Sequence, residues 1–110
     1  MTPQHTELSA GRWKQLTFLE QMANIGSEVE RALNWRQKNN AEYAQRAFER
    51  ALELTDLTLG STDDSSRRRE LTRVREALVD FFMGTNQYSS TDMLWKKYFS
   101  CFTYAARKHT

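Results

Sequence analysis

Residues 17–59, TFLEQMANIGSEVERALNWRQKNNAEYAQRAFERALELTDLTL, hold two helical patterns joined at Lys38-Asn39-Asn40. In the first, apolar side chains recur at Phe18, Met22, Ile25, Val29 and Ala32/Leu33, a spacing of three and four that lines one face of an α-helix. In the second they recur at Ala44, Ala47/Phe48, Ala51, Leu54 and Leu57. A connection this short predicts an antiparallel pair. Neither stripe is stable against water, so the hairpin requires a second layer from the rest of the chain.

Local signals place the boundaries. Thr17 and Glu20 have the capping-box form, in which hydroxyl and carboxylate each satisfy an exposed amide of the first turn. Asn40 is a suitable N-cap for the second helix, and Gly60 is expected as the left-handed residue that ends it. Small residues Ala23, Gly26 and Ser27 sit mid-way along the first helix, where a glycine costs up to about 1 kcal/mol relative to alanine. The compensating gain is close approach of another helix.

Beyond residue 60 comes a polar loop, residues 60–66, in which Ser65 or Ser66 is expected to cap a third helix over residues 67–83 with Leu71, Val74, Leu78 and Phe81/Phe82 on one face, ended by Gly84. A loop containing Tyr88 then leads to a fourth helix, residues 92–108, carrying Leu94/Trp95, Tyr98/Phe99, Phe102 and Ala105/Ala106. The sequence therefore predicts an all-α fold, an antiparallel up-down-up-down four-helix bundle formed as a single domain by residues 13–110. Residues 1–12, with Pro3, Gly11 and no apolar period, read as a flexible N-terminal arm, with Trp13 and Leu16 tucked against the bundle.

Composition narrows the function classes. Of 110 residues 39% are apolar, so a small core rich in the 13 aromatics must lie inside a wide polar surface. No apolar run approaches the ~20 residues that cross a bilayer, and the N-terminus lacks a signal-peptide core, so a cytoplasmic protein without membrane contact is expected. One cysteine, Cys101, excludes an intramolecular disulfide; it reads either as a small residue on or near the core or as a reactive or intermolecular thiol. Net charge is +2, split as +1 over residues 1–40 (five basic, four acidic), −2 over 41–60 (two, four) and +3 over 61–110 (nine, six).

Chemistry is thinly represented. Carboxylate-bridged metal bundles need inward Glu-x-x-His pairs, and the only histidines are His5 and His109, both in the tails. The same absence removes Ser-His and Cys-His nucleophiles from the interior, so no catalytic residue, cofactor or metal site is expected. Three groups are candidates. Asn24, Glu28 and Arg31 on the first helix, with Arg50, Glu53 and Asp56 on the second, share the inner shoulders of the hairpin; Glu28 can meet Arg31 and Arg50 can meet Glu53, as surface ion pairs, a buried register-fixing network or a ligand or catalytic site. Arg67, Arg68, Arg69 and Arg73 form a basic run, either solvated or in contact with phosphate or nucleic acid. Tyr88, Trp95, Tyr98 and Phe99 form an aromatic surplus around the last helix that reads as a wide core face or as an interface with a second subunit.

Two resemblances accompany these residues. The segments ANIGSEVERALNW, RALELTDLTL and WKKYFSCFTYAARK resemble a small, uncharacterised family of prokaryotic helical proteins, which implies a fold and a source and no activity. YFSCFTYAAR is similar to the aromatic-alanine helix of HEPN domains, four-helix modules that often dimerise and act in toxin-antitoxin and RNA-cleaving systems. HEPN ribonucleases place a histidine several residues after an arginine. Here only Lys108 separates Arg107 from His109, so no catalytic residue carries over. The expected function is non-enzymatic protein-protein interaction, with self-association into a homo-oligomer; the alternative is a nucleic-acid-binding regulator or HEPN-like accessory protein.

Overall fold

The computed structural model describes residues 11–108. Four long helices account for most of them: α1 (Phe18–Gln37), α2 (Ala41–Ser61), α3 (Ser65–Met83) and α4 (Asp92–Lys108). Among the described residues there is no strand, and the fold is all-helical. The arm expected over residues 1–12 lies outside the described residues as far as residue 10; residues 11–13 form a helical turn that brings Trp13 into the core.

Helix α1 starts where its sequence says it should. Thr17 accepts the Glu20 N–H at 3.1 Å and Glu20 accepts the Thr17 N–H at 2.8 Å, a complete capping box. Its C-terminus is closed by Asn39 at φ 61°, a left-handed position that asparagine tolerates better than most residues. Asn40 then caps α2 by accepting the Tyr43 N–H at 3.0 Å.

The α2–α3 junction departs from expectation. Gly60 is not a left-handed terminator: α2 runs through it to Ser61, and no described glycine has positive φ. Termination comes instead from extended Thr62, after which Asp64, rather than Ser65 or Ser66, caps α3 by accepting the Arg67 N–H at 3.1 Å. A carboxylate suits that position better than a hydroxyl because it also meets the positive end of the helix dipole. The last carbonyls of α2 find their donor in Arg68, whose Nη1 reaches the carbonyls of Leu59 and Thr62.

The core draws on every helix: Met22, Ile25, Val29 and Leu33 from α1, Phe48 and Leu54 from α2, Leu71 and Leu78 from α3, Trp95 and Phe99 from α4. Buried polar groups near its α1–α2 edge are satisfied in a chain. Trp13 Nε1 donates to Thr58 at 2.9 Å, Thr58 donates to the Leu54 carbonyl at 2.8 Å, and Gln21 donates to the Trp13 carbonyl at 2.9 Å. Helix α1 packs closely against both α2 and α4, and α2 against α3. Helices α3 and α4 stand farther apart and are bridged by long side chains: Phe81 meets Trp95, and Tyr98 reaches Glu70. Arg36, at the end of α1, spans to α3 by lying over the rings of Phe81 (4.8 Å) and Phe82 (5.2 Å).

Helices α1 and α4 approach closely at Gly26. A Cβ built on Gly26 would lie 2.6 Å from Phe99 Cβ and 2.9 Å from its Cγ, so only glycine lets α4 come this near. Gly60 has nothing within 4 Å of the same construction. Gly26→Ala should therefore cost about 1–3 kcal/mol by overpacking, whereas Gly60→Ala should be neutral or stabilise by up to about 1 kcal/mol through helix propensity. Urea unfolding of the two variants separates the effects; equal changes would contradict this packing.

Candidate functional site

The hairpin shoulder is the first group to place. Arg31 Nη1 lies 2.9 Å from Glu28 Oε1, and Arg50 Nη1 approaches Glu28 Oε2 at 3.6 Å from the neighbouring helix. Glu28 thus sits between two guanidinium groups, its side chain largely enclosed. Glu53 Oε2 and Arg50 Nε are enclosed without a hydrogen-bond partner, so the expected Arg50–Glu53 pair gives way to a contact between helices. The other two members separate from the group: Asn24 donates to the Glu20 carbonyl of its own helix at 2.8 Å, and Asp56 pairs with Arg75 of α3 at 2.8 Å.

Such a cluster can hold the α1–α2 register, since a half-buried charge pair is costly to break even where it adds little net stability. Arg50→Met should cost about 1–3 kcal/mol by removing the cation beside the enclosed Glu28 Oε2 and leaving that carboxylate with Arg31 alone, while Arg46→Met, which removes the solvent-exposed Glu42–Arg46 pair, should cost about 0.5 kcal/mol or less. Chemical denaturation of both variants measures the contrast.

The basic run divides. Arg67 lies over the Phe18 ring at 4.6 Å, and Arg68 is occupied with the end of α2. Arg69 and Arg73 are exposed on α3. Two of the four guanidinium groups thus have roles inside the fold.

The aromatic group also divides. Trp95 and Phe99 are core residues, stacked on each other with ring centroids 6.0 Å apart, and are not available as an interface. Tyr98 is half-buried and donates its hydroxyl to Glu70 Oε2 at 2.5 Å. Tyr88 is exposed, on a loop fixed by Asp80, whose carboxylate accepts the N–H groups of Gln87 and Tyr88 at 2.8 and 3.0 Å.

Burial first, and then the hydrogen bond and negative charge of Glu70, push the Tyr98 phenol above its ordinary value of 10.0. The folded chain holds this proton more tightly than the unfolded chain does. Its stabilising share is therefore complete below pH 10 and is lost as pH rises above that point. Stability measured by urea unfolding should fall more steeply above pH 10 in the native sequence than in Tyr98→Phe, and parallel curves would contradict the assignment.

What reaches solvent on α4 is the opposite stripe: Met93 is 77% exposed, Leu94 55% and Tyr104 69%. Leu94, expected on the core face with Trp95, points away because Trp95, Phe99 and Phe102 fix the rotation of the helix. Cys101 is exposed as well and lies off the core, its Sγ 3.6 Å from the Lys97 carbonyl. Met93 and Tyr104 were missed as candidates. A helical wheel centred on Phe99 places both well over 90° away from it, so the signal was present once the core position was known.

Beside this stripe a cleft of about 350 Å³ runs between α1 and α4, with Gly26, Ser27 and Glu30 on one wall and Lys96, Ser100 and Tyr104 on the other. Trp95 lines it, and the indole Nε1 is enclosed without an acceptor. No group of three or more His, Cys, Asp or Glu among the described residues is arranged to hold a metal ion. No helix among them is long and apolar enough to cross a membrane. Comparison with protein-family models, curated proteins and solved structures finds no match to this chain.

Proposed function

We propose that this chain is an up-down-up-down four-helix bundle that works by binding protein, through the outer face of α4, rather than by catalysing a reaction. Support for the topology comes from which ends meet: Trp35 late in α1 packs on Tyr43 early in α2, Phe48 early in α2 on Phe82 late in α3, and Gln37 at the end of α1 bonds Asp92 at the start of α4. Support for the function rests on one observation. Three large apolar side chains, Met93, Leu94 and Tyr104, stand in solvent on the helix whose other face supplies Trp95 and Phe99 to the core. Exposed apolar groups arrayed along one helix face are a common mark of an interaction surface.

Self-association, expected from Tyr88, Trp95, Tyr98 and Phe99, depends on Met93, Leu94 and Tyr104 instead. The nucleic-acid reading is weakened by the engagement of Arg67 and Arg68 within the fold.

The test combines three exposed substitutions, Met93→Asp, Leu94→Asp and Tyr104→Asp. Because these positions lie outside the core, unfolding free energy should change by about 1 kcal/mol or less. Proteins captured from native lysate by the unmodified chain, and any oligomer seen by light scattering, should be lost. A capture profile and a molar mass unchanged by the triple substitution would overturn the reading.

A further inference from the structure

Helix α3 is held to the fold differently from the other three. Its main backbone neighbour is α2, and that approach is slighter than those of α1 with α2 and with α4. Five arginines, two glutamates and one aspartate stand among its 19 residues, and it buries three, Leu71, Val74 and Leu78, where α1 and α2 bury seven each. Helix α4 buries only Trp95 and Phe99, but Gly26 lets the Phe99 side chain settle against the α1 backbone, an anchor that α3 lacks.

Long side chains tie α3 to its neighbours. Arg36 reaches from α1 to lie over Phe81 and Phe82, Asp56 of α2 pairs with Arg75, and Tyr98 of α4 donates to Glu70. Straps of this kind, at or near the surface, contribute little individually and break without disturbing the helices they come from. The connections at the two ends of α3 are residues 62–64 and 84–91, outside any helix.

We propose that α3 is a lid. It swings away as one unit about those two connections while α1, α2 and α4 keep their mutual packing, and it uncovers an apolar seat where Phe48 of α2 and Trp95 of α4 meet Phe82 and Phe81 in the closed form. Opening gives up the burial of Leu71, Val74 and Leu78 together with the straps. It keeps the α1–α2 seam and the contact of Gly26 with Phe99, so it costs less than unfolding the whole chain. Met93, Leu94 and Tyr104 are exposed in both forms, so opening adds a second apolar surface to the one on α4. The open form is a minor state of the free protein, available for selection by whatever fits the seat.

Native-state hydrogen exchange of the full chain, followed amide by amide from zero to sub-denaturing urea, tests the lid. Amides in the middle of α3 should exchange at least about tenfold faster than the slowest amides of α1, and with a shallower urea dependence because less surface is exposed. Gly26→Ala strains a contact that the closed and open forms share. It should therefore speed the slowest α1 amides about fivefold or more and leave those of α3 within about twofold of their rates in the native sequence. Val74→Ala, which weakens packing present only in the closed form, should speed both sets by the same factor. Exchange of α3 at the rate and urea dependence of α1, or equal acceleration of the two by Gly26→Ala, would mean that α3 leaves only when everything unfolds, and the lid would be ruled out. Fast exchange confined to the end turns of α3 and insensitive to urea would be fraying, and amides of α4 exchanging together with α3 would mean that the α1–α4 seam opens too; either overturns the proposal. The urea dependence is read on the native sequence, so it decides the matter even if Gly26→Ala fails to fold.

Discussion

A missing side chain sets the geometry of this molecule. Because residue 26 is glycine, the Phe99 side chain, from its Cβ to the edge of its ring, lies where any other residue would place a Cβ. Helix α4 is drawn onto α1, and α1 becomes the helix with a close neighbour on either side, α2 and α4. Seating Phe99 also fixes the rotation of α4 about its own axis. Trp95 and Phe102 turn inward with it, Tyr98 is aimed at Glu70 on α3, and Met93, Leu94 and Tyr104 are left outside. The candidate surface is thus a consequence of how the core is packed, and any change that rotates α4 alters both.

Around that contact, polar groups connect the helices in pairs. Trp13, Gln21 and Thr58 tie the entry of α1 to the exit of α2. Glu28 and Arg50 link the middles of the same two helices, Asp56 and Arg75 link α2 to α3, and Tyr98 and Glu70 link α3 to α4. Each such link is worth about 1 kcal/mol or less where it is exposed and more where it is enclosed. Their value lies in register, since apolar stripes alone permit one helix to slide by a turn against another. Where α3 and α4 stand apart, aromatic side chains fill the gap, which accounts for the abundance of Phe, Trp and Tyr in this half of the chain.

Much of this was legible in the residues themselves. Thr17 with Glu20, and Asn40, mark helix starts by local chemistry that depends on nothing distant, and the three-four stripes of α1 and α2 identify their buried faces. Gly26, read as a point of close approach, meets another helix. What escaped was whatever depends on a distant partner. Gly60 looked like a terminator because glycine often is one, but Arg68 supplies the donors that end α2, and nothing in the local sequence shows a guanidinium arriving from the next helix. Trp95 and Phe99 looked like a surplus because adjacent positions of α4 are apolar; only the seat at Gly26 decides which of them face inward. Cys101 sits in an aromatic run yet is exposed for the same reason, lying roughly opposite Phe99 on the helix.

The proposed role follows from the same seat: Met93, Leu94 and Tyr104 stand in solvent because α4 is held close to α1 in one rotation. A double-mutant cycle between Gly26→Ala and Phe99→Ala tests that claim most directly. Phe99→Ala alone should cost about 3–5 kcal/mol. Once the ring is gone, the contacts at 2.9 and 3.0 Å vanish, and the remaining one, to the Cβ of residue 99 at 2.6 Å, is eased because α4 is free to adjust, so adding Gly26→Ala should cost less than it does beside the intact ring. A coupling of about 1 kcal/mol or greater, with the two losses less than additive, is the predicted result. Strictly additive losses would mean that Gly26 and Phe99 do not hold the two helices together, and the account built on their contact would be contradicted.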